Sequence, residues 1–338
     1  MLFPSKSFHI QRSFQRFVTN YSTLPIKTHI DMKYDLYLPH KSTIQKLPYH
    51  CQESIIFMHG ILGNRKLYKN DCQILANYLN TAVYAVDMRN HGETENCLPL
   101  DYKTLSDDIY HFASDHGLEK PSLIGYSLGA KIAMLAILQN PSNFTSVVCV
   151  DNVPIPQPEI IPFLTAFTKS IGTLITESNI TKFDKDWVHN AALWMMKYVP
   201  DKPTIDYMIK NVTNKSSHIK QLFCVPEKNS LYCKVPVLAI SDIINSEVPA
   251  WPSDLVEGCK VDNSILFIKA SRSGFIEEKG VNAIKKYFNN YDIIELQGTH
   301  LIMFERPQAY ISAVANWFIK RNKTETSQLA DKQLENNF

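Results

Sequence analysis

Several features that would narrow this chain's partners are missing from it. Across 338 residues the formal net charge is only +2. No basic tract with interleaved aromatics appears, which argues against nucleic acid or an anionic surface as the partner. The seven cysteines (Cys51, Cys72, Cys97, Cys149, Cys224, Cys233 and Cys259) form no CxxC pair. An odd count without framework spacing points to reduced thiols rather than a secreted disulfide scaffold. No apolar run approaches the ~20 residues of a membrane span, and there is no internal repeat or low-complexity segment. What remains is a chain 45% hydrophobic and 20% charged, ordinary for a globular protein and long enough to bury one substantial core.

Acidic residues are absent from the first 30 positions. That stretch carries Lys6, Arg12, Arg16 and Lys27. Read as a helix, it sets Ile10, Phe14, Phe17 and Val18 on one face and Arg12 and Arg16 on another. This is the composition of a mitochondrial transit peptide spanning residues 1–25, with cleavage expected within Thr19–Pro25. A basic N-terminus without structure is the alternative reading. At the other end residues 321–338 are polar and show no continuing apolar face, so a frayed tail is expected there. The globular domain is then residues 26–320.

Within that domain short β-branched runs alternate with helical patterns, the mark of a mostly parallel sheet with helices on both faces. Expected strands are Ile30–Tyr37, Ser54–Met58, Ala82–Val86, Ser122–Ile124, Val147–Val150, Ile265–Lys269 and Ile293–Leu296. Several are uninterrupted apolar runs, as in strands covered on both sides. Expected helices are Leu67–Leu79, Leu105–Asp115, Leu128–Gln139, Val281–Phe288 and Pro307–Ile319. Between about residues 153 and 260 the alternation stops. A proline cluster (Pro154, Pro156, Pro158, Pro162) leads into amphipathic helices with stripes Phe163, Phe167, Ile171, Leu174 and Trp187, Ala191, Trp194, Tyr198. Such a helical insert reads as a lid over the carboxyl edge of the sheet, where open α/β sheets bind ligands.

The chemistry is carried by Gly125-Tyr126-Ser127-Leu128-Gly129, a G-x-S-x-G between the apolar run Ser122-Leu123-Ile124 and a helical pattern beginning Ala130-Lys131-Ile132. Strand, sharp turn and helix in this order form an elbow that exposes a serine Oγ. Glycines on either side let strand and helix approach closely. A second motif, His59-Gly60-Ile61-Leu62-Gly63, follows strand Ser54–Met58. A third, Asp87-Met88-Arg89-Asn90-His91-Gly92, follows Ala82–Val86; its Arg89 and His91 read as loop-fixing.

In this order the three motifs resemble the α/β-hydrolase superfamily over roughly Lys33 to Lys320. The Asp-x-Arg-Asn-His-Gly form is similar to a subgroup holding mitochondrial abhydrolase-domain-11 proteins and fungal ethanol acetyltransferases. The resemblance implies an α/β-hydrolase fold with Ser127 as nucleophile. Acyl transfer needs two N–H donors aimed at the developing oxyanion. In this fold they come from the residue after the nucleophile, here Leu128, and from the loop carrying His59, here Ile61. His59 itself is then a loop-positioning residue. The base is a histidine late in the chain. His300, in Gly298-Thr299-His300 after the last strand, fits; His111, His116, His189 and His218 lie in helical patterns or the insert.

The acid is less direct. Many members of the fold carry it in the turn after the seventh strand. Val237–Ser241 would nominate Asp242 for that place, but Asp242 lies 58 residues before His300, which leaves room for a further strand and helix. Ile265–Lys269 fits better, and the turn after it, Ala270-Ser271-Arg272-Ser273-Gly274, has no carboxylate. Glu277 and Glu278 belong to the start of the next helix. Asp151, 24 residues after Ser127, ends strand Val147–Val150 beside the nucleophile strand, and the resembling subgroup has its acid at that place.

The resemblance to ethanol acetyltransferases implies acetyl-CoA as substrate and ethanol as acceptor, with no cofactor and no metal. Water as acceptor would make the same site an esterase or thioesterase. A binding module that merely retains the fold is a third possibility, disfavoured by an intact set of Ser127, Asp151 and His300.

Overall fold

A computed structural model of the chain describes residues 24–40, 53–215 and 231–335. The expected transit peptide, Cys51, Cys224 and His218 therefore lie outside the described residues, apart from Leu24 and Pro25. The chain divides into two compact units.

One unit comprises, among the described residues, 31–40, 53–88, 102–156 and 251–335 and holds a seven-stranded sheet. Its strands are β1 (Tyr34–Tyr37), β2 (Ile55–Met58), β3 (Val83–Val86), β4 (Ser122–Tyr126), β5 (Ser146–Val150), β8 (Ser264–Ala270) and β9 (Tyr291–Leu296). They lie in the order β1-β3-β2-β4-β5-β8-β9. All neighbours are parallel except β1, which runs antiparallel to β3. From β2 the chain goes outward to β3 and then returns to β4 on the other side. The sheet's switch point thus falls between β2 and β4, beside the turns that carry His59 and Ser127.

The apolar runs of β2, β4 and β5 are buried along their whole length. Alternate side chains serve opposite faces. Ile55, Phe57, Ile124, Val148, Leu266 and Ile268 share a core with α1 (Lys69–Leu79) and the last helix α9 (Pro307–Glu335). On the other face α2 (Tyr102–Asp115) packs on α3 (Leu128–Gln139). Residues Leu128–Leu138 of α3 are buried without exception. Its Lys131 is buried too, with Nζ 5.8 Å from the centre of the Tyr102 ring.

The last helix is longer than the sequence reading allows, continuing through the expected tail to Glu335. Two physical reasons stand out. The polar stretch is rich in Lys, Glu, Gln, Ala and Leu, which propagate a helix once it is nucleated. Arg321, the first residue assigned to the tail, is only 8% exposed. Its guanidinium pairs with Glu53, bonds Ser146, and lies over the rings of Trp317 and Phe318.

The second unit comprises, among the described residues, 24–30, 89–101, 157–215 and 231–250. Its helices are α4 (Ile161–Thr176), α5 (Trp187–Met195), α6 (Lys202–Met208) and α7 (Val237–Glu247), with a small antiparallel pair β6 (Val212–Thr213) and β7 (Tyr232–Cys233). Phe167, Ile171 and Leu174 of the first stripe are buried in α4, and Phe163 is exposed but stacks on Phe167. The second stripe is corrected: α5 ends at Met195, so Tyr198 lies beyond it and the buried face is Ala191 and Met195. Val237–Ser241 opens helix α7 rather than forming a strand. Pro236 stands at its N-cap, and Val237, Ala239, Ile240 and Ile244 form its buried face. The segment before Asp31 is held in this unit by Lys27 N–H to Leu98 O and Leu98 N–H to Pro25 O, both 2.8 Å. Arg89, fully buried, adds a bond to the Lys27 carbonyl at 2.8 Å.

Candidate active site

The turn between β4 and α3 is sharp enough to strain Ser127, whose φ and ψ are 53° and −111°. A non-glycine residue in such a region costs on the order of 1–3 kcal/mol and persists only where its surroundings hold it. The flanking glycines show why the strain is accepted. A Cβ on Gly125 would collide with the backbone of Gly129, and one on Gly129 would stand 2.6 Å from the Met58 carbonyl oxygen. The turn is braced by Ser127 N–H to Val150 O at 2.9 Å and by Asn152 Nδ2–H to Ser127 O at 3.0 Å.

Three chain-distant side chains meet here. His300 Nε2 is 2.9 Å from Ser127 Oγ, and His300 Nδ1 is 2.7 Å from Asp151 Oδ2. Asp151 follows β5 at a φ of 52°, a left-handed value that Asp tolerates better than most residues. Its carboxylate is fully buried, whereas the His300 side chain is 27% exposed. The Asp151 carboxylate is therefore sealed from water while the His300 imidazole remains reachable. Oδ1, the oxygen turned away from the imidazole, accepts the Ala270 N–H and the Ser273 hydroxyl, each at 2.9 Å. Asp242 is exposed on α7, and Glu277 is exposed at the N-cap of α8 (Glu278–Tyr287). His111 and His116 belong to α2 and its end, and His189 to α5.

The loop bearing His300 is fixed by Glu305. Its carboxylate accepts the Thr299 N–H at 2.9 Å and the Thr299 hydroxyl at 2.6 Å. Burial works against that carboxylate, but the two Thr299 bonds and the charges of Arg272 and Arg306 prevail and lower its pKa. The Tyr126 hydroxyl donates to the His300 carbonyl at 2.9 Å.

The loop after β2 closes a turn with Gly63 N–H to Gly60 O at 2.9 Å, and Leu62 takes a φ of 53°. A Cβ on Gly60 would stand 3.3 Å from Ser127 Cβ and 2.9 Å from the Tyr126 ring. Only glycine lets the loop pass so close to the elbow, and Ile61 is the next residue along. Leu128 opens α3, where an N–H has no acceptor within the helix. The loop is tethered at both ends to the turn after β3. Met88 N–H donates to His59 Nε2 at 3.1 Å, and Arg65 N–H donates to Asp87 Oδ1 at 2.7 Å. Since His59 Nε2 accepts, Nδ1 carries the proton and donates it to the Gly60 carbonyl at 2.8 Å. Burial lowers the His59 pKa to about 4, so this tautomer is neutral at pH 7.

Sequence reasoning did not single out Asn152, Ser273, Phe275 or Glu305, all of which touch the three side chains or their turns. Only Ser273 lay in a segment the sequence marked as unusual.

A mostly parallel sheet with a strained serine elbow at its switch point defines an α/β-hydrolase-fold protein, and residues 53–168 match the family model described as alpha/beta hydrolase fold. Curated relatives are closer still. The chain is 46% identical over 324 residues to ethanol acetyltransferase 2 of Hanseniaspora uvarum, covering 96% of this chain and 93% of that one. It is 40% identical to ethanol acetyltransferase 1 of the same yeast over 99% of both chains. Its identity to ethanol acetyltransferase 1 of Kluyveromyces marxianus is 45%, over 87% of this chain and 82% of that one. The chain belongs to the family of these ethanol acetyltransferases. Among solved structures a marine microorganism esterase superposes with a TM-score of 0.69 at 17% identity, covering 85% of this chain and 99% of that one. That likeness shows the fold.

Proposed function

We propose that this protein is an alcohol O-acetyltransferase that makes ethyl acetate from acetyl-CoA and ethanol, with Ser127 as nucleophile, His300 as base and Asp151 as acid. The observation that carries the reading is the near full-length identity to ethanol acetyltransferases. The Ser127–His300–Asp151 distances support the roles.

On this reading His300 Nε2 takes the proton from Ser127 Oγ as the oxygen attacks the thioester carbonyl. The tetrahedral oxyanion is met by the N–H groups of Leu128 and Ile61. Its collapse breaks the C–S bond, His300 returns the proton to the leaving sulfur, and an acetyl-serine remains. Ethanol then gives its proton to His300 and attacks the acetyl carbon. Collapse of the second tetrahedral adduct expels Ser127 Oγ, which regains the proton, and ethyl acetate leaves. Asp151 holds the imidazole in the tautomer with Nδ1 protonated and stabilises the imidazolium. Water in place of ethanol yields acetate through the same acyl-enzyme.

Incubating the purified protein with acetyl-CoA, with and without ethanol, tests this directly. Ethyl acetate formed only when ethanol is present is the expected result. Acetate alone at any ethanol concentration would make the enzyme a hydrolase, and neither product would refute acetyl transfer. The acid-free, arginine-bearing start of the sequence further supports import into mitochondria. A reporter fused to residues 1–30 should enter the organelle; a cytosolic reporter would refute this.

A further inference from the structure

The turn after β8 has no carboxylate, yet two of its side chains reach the acid and the base. Ser273 Oγ lies 2.9 Å from Asp151 Oδ1 and 3.1 Å from the Ala270 carbonyl, and it accepts the Phe275 N–H at 3.3 Å. Its single proton therefore has two acceptors, of which the carboxylate is the stronger. Gly274, at a φ of 73°, turns the chain back. The Phe275 ring then lies flat on the imidazole of His300, with centroids 3.9 Å apart and planes 9° from parallel. Tyr126 meets the same imidazole more obliquely, at 5.2 Å and 32°. The turn is also bonded to the loop bearing the base. Ser271 N–H donates to Leu296 O and Arg272 N–H to Gly298 O, each at 2.9 Å.

A histidine ring turns about two side-chain torsions, and the relay needs the setting that aims Nδ1 at Asp151 and Nε2 at Ser127. A flat ring packed face to face on the imidazole opposes rotation out of that plane. The geometry points to Phe275 and Ser273 as positioning residues for acyl transfer. Phe275 fixes the plane of the base, and Ser273 fixes the carboxylate that orients it. This rests on the reading of Ser127, His300 and Asp151 as the relay. The ring contact also strengthens when it is most needed. Once His300 has taken the proton it is a cation, and an aromatic face attracts a cation.

Phe275→Leu keeps apolar bulk and removes the flat face. It should lower kcat roughly five- to tenfold, the scale of one aromatic pair, with KM for acetyl-CoA unchanged. Phe275→Tyr should restore most of the loss. Ser273→Ala should lower kcat several-fold, and Ser273→Thr, which keeps the hydroxyl, should recover it. The low-field proton resonance of His300 Nδ1 should broaden in Phe275→Leu and Ser273→Ala and sharpen again in Phe275→Tyr. Ser127→Ala separates the two layers of the argument: if it still makes ethyl acetate, the relay reading itself falls. If it is inactive while folded Phe275→Leu keeps the wild-type kcat and an unchanged Nδ1 resonance, the positioning role alone falls. A loss of kcat in Phe275→Leu that Phe275→Tyr does not restore also overturns it.

Discussion

Replacing Asp151 by asparagine tests its proposed role as the acid, because it removes the charge, keeps the shape, and lets the surroundings decide how the amide sits. Two donors, the Ala270 N–H and the Ser273 hydroxyl, converge on Oδ1. The amide oxygen is drawn to that side, and the NH2 group is left facing His300 Nδ1. His300 must then accept at Nδ1 and carry its proton on Nε2, where it cannot take one from Ser127. Reversing the amide would set NH2 against the Ala270 N–H and cost about 1–3 kcal/mol for the buried bond lost. The productive orientation is thus a minor one, and it still lacks the negative charge that steadies the imidazolium. Together these should lower kcat by about three to four powers of ten, or roughly 4–5.5 kcal/mol. The same replacement costs about ten-thousandfold in a serine protease.

The fold should survive this change. Asparagine matches aspartate in shape and tolerates the left-handed backbone that Asp151 adopts. Ethyl acetate formation measured by gas chromatography, beside a melting curve, makes the test. Asp242→Asn and Glu277→Gln, at exposed positions, should stay near the wild-type rate. If Asp151→Asn stayed within tenfold of wild type, or if either control lost a hundredfold, the assignment of the acid would be wrong.

Further outcomes can be measured independently. Ser127→Ala should abolish ester synthesis and thioester cleavage together, on the order of a millionfold in turnover; synthesis outlasting hydrolysis would exclude a shared acyl-enzyme. His59 is held neutral, with a folded pKa of about 4 against 6.5 unfolded. The unfolded chain therefore binds the extra proton between those values, so stability falls as pH drops from about 6.5 to about 4. A His59→Gln variant should lose stability at pH 7 yet show a flatter fall in melting temperature over that range. An equal slope would contradict the buried neutral histidine. Removal of residues 1–23 should leave activity and melting temperature intact, whereas removal through Ile30 should lower both, since Pro25 and Lys27 bond to Leu98. Unchanged melting after the longer deletion would show that this anchoring is idle.

The parallel core was legible because its strands are buried on both faces and read as continuous apolar runs. Helix Leu128–Gln139 was read to the residue, since the elbow marks its start. Val237–Ser241 was ambiguous for the reason that short apolar runs usually are. Its burial follows a helical period, and only the proline before it hints at a helix N-terminus. Arg321 was misread as tail because its partner, Glu53, is 268 positions away and no local pattern announces such a pairing. Asn152 and Phe275 escaped for the same reason, since each acts on a distant residue, Ser127 and His300, that no local pattern places beside it. Glu305 is only six positions from Thr299, but nothing in the sequence singled that loop pairing out.

The position of Asp151 follows from the register of two neighbouring strands. Strands β5 and β8 are parallel, with Val150 opposite Ile268, so the residue after β5 and the turn after β8 reach the same edge of the sheet. The two sites are one hydrogen bond apart, as the contact between Asp151 Oδ1 and the Ser273 hydroxyl shows. A carboxylate from β5 faces an imidazole arriving after β9 only if the turn between them yields the space. A second carboxylate there would set like charges a few ångströms apart in a buried setting. A hydroxyl at 273 instead donates to Asp151, and two residues on Phe275 lies against His300. The missing carboxylate in Ser271-Arg272-Ser273-Gly274 and the presence of Asp151 are thus one structural choice seen from two strands.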